Sequence, residues 1–146
     1  MIKALHKLVG ETPYYVTMVD SESDRKFLIL GKTKVFFVDN SLKKTNNTSH
    51  DDFAYSRVKQ VDYYTKYPNF FKLTIADETD SKKTMVHQFI CEDAKSLINS
   101  LKCYWQIDNM DRTLSFKELH ISISEDLTNE EEKTEIKQQL IGTNGG

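Results

Sequence analysis

TMVHQFICEDAKSLINSLKCYWQI, residues 84–107, decides the fold. It reads as a strand running directly into an amphipathic helix. Ala94, Leu97, Ile98, Leu101, Tyr104 and Trp105 fall at i, i+3, i+4, i+7, i+10 and i+11, which makes one apolar stripe at helical period. Asp93 stands where a helix cap would accept a hydrogen bond from a free backbone N–H. Lys95, Asn99 and Lys102 lie off the stripe and face water. Every earlier apolar stretch of the body patterns like a strand, so a single helix closes a strand-rich chain.

Working back from that helix, strands are expected at 14–19, 26–30, 34–38, 55–64 and 70–75. KFLIL and KVFFV are joined by Gly31-Lys32-Thr33 and form a hairpin. Both are apolar nearly throughout, so both faces of the pair are expected to be partly covered. The phase of alternation shifts near Val58 and Val61, which signals a bulge. Residues 39–52 and 77–83 are hydrophilic loops. At the N-terminus, Ile2, Leu5 and Val9 mark a short helix stopped at Gly10.

Forward of the helix, residues 108–112 read as a polar connection, and a bent strand follows over 114–123. Thr128-Asn129-Glu130-Glu131 has capping-box form and opens a charged helix over 129–141. The domain plan is therefore a helical extension at 1–12, the main domain at 13–108, and an extension at 109–146 made of a strand, an acidic helix and a frayed tail.

Composition narrows the classes. The chain has 146 residues and a formal net charge of −2, with no basic excess that would point to nucleic acid. Residues 125–146 hold six acidic and two basic groups, so the tail is acidic and the body mildly basic. Two cysteines, Cys91 and Cys103, are too few for a disulfide framework or a zinc site and read as reduced thiols. The four histidines lie on separate elements, so no metal is expected. No secretory leader or membrane span is legible, and a cytoplasmic setting is expected. Gly31-Lys32-Thr33 lacks the first glycine and the following helix of a phosphate loop. No nucleophile elbow or thiol–imidazole pair is present either, so neither an enzyme nor a cofactor is expected.

Six or seven strands followed by one C-terminal helix carrying a Trp resemble a pleckstrin-homology (PH) domain. The resemblance runs from about Tyr14 to Ile107. Arg25-Lys26-Phe27-Leu28-Ile29-Leu30 is similar to the family's second strand and Lys34-Val35-Phe36-Phe37-Val38 to its third. Phe70-Phe71-Lys72-Leu73-Thr74-Ile75 and the strand ending at Phe89 are similar to its last two, and Trp105 to its helix Trp. The resemblance implies a mainly β, PH-like barrel of two antiparallel sheets, plugged at one end by the helix. Burying Leu97, Ile98, Leu101 and Trp105 there is worth on the order of 8 kcal/mol before entropy is subtracted.

Many PH domains hold phosphoinositide headgroups with a first-strand Lys and a basic set early in the second strand. Arg25 and Lys26 match part of that set. The first-strand Lys is missing, and Asp20, Glu22 and Asp24 would repel a phosphorylated ligand. A second basic group, Lys32, Lys34, Lys43, Lys44, Arg57 and Lys59, offers an anionic-membrane surface as an alternative. The densest aromatic run suggests a protein interface instead. Tyr64, Tyr67 and Phe70 are expected to be exposed beside Pro68, rimmed by Lys66 and Lys72. Ile136 and Leu140, on the acidic helix, are expected to dock on a partner. The leading expectation is a non-enzymatic interaction module, an adaptor or a subunit of a larger, cytoskeletal assembly. The alternative is peripheral binding to anionic lipid.

Overall fold

The computed structural model describes residues 10–21, 24–39, 52–80 and 82–127. The expected helices at 2–9 and 129–141, with Ile136 and Leu140, lie outside the described residues, as do Lys43 and Lys44.

Among the described residues, eight strands form one hydrogen-bonded sheet: β1 (Tyr15–Ser21), β2 (Asp24–Leu30), β3 (Lys34–Asp39), β4 (Asp52–Ala54), β5 (Val58–Tyr64), β6 (Phe70–Ala76), β7 (Thr84–Ile90) and β8 (His120–Ser124). Their order is β4-β3-β2-β1-β7-β6-β5-β8. The sheet is two four-stranded halves joined at a corner. β1 meets β7 through a single residue pair, Asp20 with Ile90, whereas β1 and β2 are paired along their whole length. The helix α1 (Ala94–Thr113) closes the space between the halves.

Register places alternate side chains in the core. Leu28 opposite Phe37 and Leu30 opposite Val35 point inward from the first half. Val61 opposite Leu73 and Phe71 opposite Phe89 do so from the second. Phe89 ties the halves together, its ring 5.4 Å from both Phe37 and Phe71. Leu97, Ile98, Leu101 and Trp105 complete this core, as the helical spacing predicted. Trp105 Nε1 donates to the Val58 carbonyl at 3.0 Å, which satisfies the indole where it is buried. The bulge anticipated in β5 is a register shift between Val58 and Gln60, preceded by a 3-10 turn at Tyr55–Arg57.

Three local expectations are corrected. First, α1 does not end near residue 107. It runs to Thr113, so a domain boundary at 108 falls inside it. Asp108 and Asn109 look like a polar connection, but both are buried and hydrogen-bonded. Arg112 Nε donates to Asp108 at 2.7 Å, and Asn109 Nδ2 donates to the Ser115 carbonyl at 3.1 Å. Second, Asp93 sits at the N-cap position without capping. Its carboxylate turns to β1 and accepts from the Tyr15 and Thr17 hydroxyls and the Cys91 thiol. Third, the segment after α1 is a strand only over its last part, and β8 joins β5 in parallel, so that half is not wholly antiparallel. Leu119 is buried in the main core. Leu127 packs with Tyr67, Phe70 and Ile90 on the outer side of the second half.

Candidate interaction surface

The expected aromatic interface is not exposed. Phe70 is 0% exposed and Tyr67 is buried beside it, both closed over by Ile90 and Leu127. Tyr64 stacks on Phe70 at 5.9 Å, and the Lys72 ammonium lies 5.6 Å from the Tyr64 ring centre. These residues hold the outer side of β6 and β7 to the segment after β8. Phe70 does point outward, as strand alternation requires, but Leu127 returns to cover that side.

The basic set divides. Arg25 is held by Asp20 in a two-point ion pair, with Nε to Oδ1 at 2.9 Å and Nη2 to Oδ2 at 3.3 Å. That contact is largely exposed, so it adds little stability. Lys34 pairs with Asp52 at 3.6 Å. Lys32 and Lys59 are exposed on other parts of the surface. Lys26 and Arg57 do come together. They line a cavity of about 380 Å³ between the starts of β2, β4 and β7 and the ends of β3 and β6. Lys83 joins them, Phe37, Phe53, Ile75 and Phe89 supply apolar lining, and Asp52 and Asp77 bring two carboxylates. Arg57 Nε donates to the Ala76 carbonyl at 2.9 Å, which positions the guanidinium at the cavity wall.

The cluster around Asp93 is structural. Burial and the Asp93 hydrogen bond push the Cys91 thiol up to about 12, and burial followed by the same carboxylate moves the Tyr15 phenol to about 12. Burial works to raise Asp93, but hydrogen bonds from Cys91, Thr17 and Tyr15 outweigh it and hold the carboxyl below its ordinary value. A thiol so reluctant to ionise is a poor nucleophile. The arrangement pins the start of α1 to β1. Among the described residues, no group of three His, Cys, Asp or Glu side chains could hold a metal ion, and no helix is long and apolar enough to cross a membrane.

Among the described residues, a row of exposed apolar side chains runs along the outer face of α1 to its end. Ile107 is 52% exposed, Met110 46% and Leu114 89%, and Cys103 is exposed in line with them. At about 100° per residue Cys103, Ile107 and Met110 fall within about 60° of one another, directly opposite the buried stripe, and Leu114 follows one turn on as the residue that caps the helix. The row is about 16 Å long. Phe116 and, on β8, Ile123 are also exposed. Leu114 has a left-handed backbone, φ 58°, where its N–H closes the helix onto the Met110 carbonyl at 2.9 Å. Glycine is the usual residue at such a helix end, and a bare leucine there is unfavourable on two counts. Sequence reasoning missed this row because it ended α1 too early. The four–three–four spacing of residues 103, 107, 110 and 114 is the signal that could have found it.

No family model matches the chain, and no curated protein does. Several solved structures share its fold. One is the complex of the FERM and C-terminal domains of Drosophila Merlin, with a TM-score of 0.53 and 13% identity, covering 68% of this chain and 31% of that one. Another is human RhoA in complex with the DH/PH fragment of PDZ-RhoGEF, with a TM-score of 0.55 and 6% identity, covering 67% and 30%. A third is the hSac2 domain of the human phosphoinositide phosphatase Sac2, with a TM-score of 0.52 and 14% identity, covering 82% and 80%. The chain thus spans about a third of the length of the first two. At these identities the likeness concerns the fold alone: among the described residues, eight strands and one closing helix have a PH-like fold.

Proposed function

We propose that the chain is a non-enzymatic interaction module that binds protein through the outer face of α1. The bare row Cys103, Ile107, Met110 and Leu114 carries this reading. A soluble domain gains nothing in folding from four aligned apolar side chains on the solvent side of its closing helix. The strained leucine at the helix end strengthens the argument, since such outliers persist where the position serves something other than stability. Neighbours of like fold are found in protein complexes, RhoA with a DH/PH fragment and the Merlin FERM domain with a C-terminal domain, which agrees with a protein partner. An adaptor or assembly-subunit role, in a cytoplasmic and cytoskeleton-associated setting, is the form proposed for it.

The cavity favours a second reading, contact with an anionic lipid. Lys26, Arg57 and Lys83 stand around an apolar floor there. Asp52 and Asp77 in the same wall weaken the attraction, so this reading ranks second.

Quantitative co-purification separates the two. Wild type is compared with Ile107→Asp/Leu114→Asp and with Lys26→Glu/Lys83→Glu, alongside flotation on vesicles with and without phosphatidylserine and phosphoinositide. The proposal expects protein partners lost only by the α1 variant and no flotation. Flotation abolished by the cavity variant, with co-purification unaffected by the α1 variant, would overturn it.

A further inference from the structure

The outward row on α1 reads the same from either end. Its intervals are four, three and four residues: Cys103, Ile107, Met110, Leu114. A twofold axis perpendicular to the helix, placed between positions 108 and 109, carries Cys103 onto Leu114 and Ile107 onto Met110. Asp108 and Asn109 themselves point into the fold and do not obstruct that axis. Two antiparallel copies of the helix therefore give each apolar side chain an apolar partner, at the spacing that keeps a seam between packed helices. We propose that α1 pairs antiparallel with α1 of a second copy of this chain. This rests on the reading of the row as a protein-docking surface and names its partner.

The charges beside the row permit this pairing. Lys102 flanks one side and Asp111 the other, and Lys95 lies two turns before the row begins. In the antiparallel arrangement the two Lys102 side chains stand about 20 Å apart along the axis. The two Asp111 carboxylates stand about 8 Å apart on one flank, near enough to repel and far enough to be screened. Association therefore strengthens as salt is raised. Parallel pairing would instead set Cys103 against Cys103 and Leu114 against Leu114. The row is short against the ~800 Å² that each partner gives to a standard interface, so dissociation falls in the micromolar range.

The test uses the purified full chain. Sedimentation equilibrium up to about 500 μM should show a reversible dimer. Ile107→Asp should weaken it at least tenfold, and Lys95→Asp should leave it nearly unchanged. Leu114→Cys then sets the geometry. The new thiol lies opposite Cys103 of the second copy, within disulfide reach. Copper phenanthroline with oxygen should convert that variant into a covalent dimer that dithiothreitol reverses. Wild type should not crosslink, because its two Cys103 thiols lie about 16 Å apart along the axis. Adding Cys103→Ser to Leu114→Cys should abolish the crosslink.

A wild-type chain that stays monomeric throughout overturns the proposal. So does a wild-type covalent dimer through Cys103. In either case the broader reading stands if Ile107→Asp/Leu114→Asp still loses a protein partner in co-purification, and falls with it if nothing is lost.

Discussion

The outer face of β2 and β3 and the outer face of α1 are both apolar, and both lie away from the main core. On the sheet, Ile29, Phe36 and Val38 point outward by register and are nonetheless buried, with Val16 and Phe27 packed against them among the described residues. On the helix, Ile107, Met110 and Leu114 point outward and are bare. The chemistry of the two faces is similar. Their situation is not, and only the second has surface to offer a partner. An apolar outer face identifies a docking site only when the rest of the chain leaves it uncovered.

The widest separation should appear on truncation. Phe36, 3% exposed, should cost about 3–5 kcal/mol as Phe36→Ala, measured by urea denaturation of dilute protein. A loss below about 1 kcal/mol would mean that the sheet face is no better covered than the helix face, and the contrast would collapse.

The inner anchoring of α1 is the next largest effect. Asp93→Ala leaves the Tyr15, Thr17 and Cys91 donors without their acceptor, at about 1–3 kcal/mol. Linked pH effects follow. The Cys91 thiol has an ordinary value of 9.0 and a folded value of about 12. Between those values the unfolded chain binds fewer protons than the folded one, so stability falls as pH rises, by at most about 1.4 kcal/mol per unit. Asp93 acts at the other end: its contribution is present above 3.8 and is lost as pH falls through its lower folded value. Urea midpoints across pH should show both limbs, with the alkaline limb flattened in Cys91→Ala.

Smaller effects sharpen the helix side. Leu114→Gly relieves a left-handed leucine and removes no buried contact, so dilute protein should gain about 0.5–1 kcal/mol. A loss instead would show that Leu114 is held by contacts within its own chain. Smallest of all, Ile107→Ala should change stability by no more than about 0.5 kcal/mol. A larger loss would place Ile107 in the fold and remove it from the docking surface.

Most of the architecture was legible in residue order. KFLIL and KVFFV announced a hairpin covered on both sides, and Ala94, Leu97, Ile98, Leu101 and Trp105 announced the plug, because period 2 and period 3.6 follow from backbone geometry. The end of α1 was not legible. Asp108 and Asn109 look like solvent-facing residues until Arg112 and the Ser115 carbonyl are placed beside them. The aromatic cluster misled for a related reason, since Leu127, more than fifty residues further along the chain, decides whether Phe70 is bare.

Taken alone, the sequence determined the elements: the strands, the closing helix and which side of each is apolar. Those depend on local periodicity, which a chain carries without reference to distant residues. Tertiary structure decided which apolar side is covered. It buried Phe70 under Leu127, turned Asp93 from cap to anchor, brought Lys26, Arg57 and Lys83 around one cavity, and left the outer row of α1 in water. Coverage depends on residues far apart in the chain, and periodicity carries no information about those.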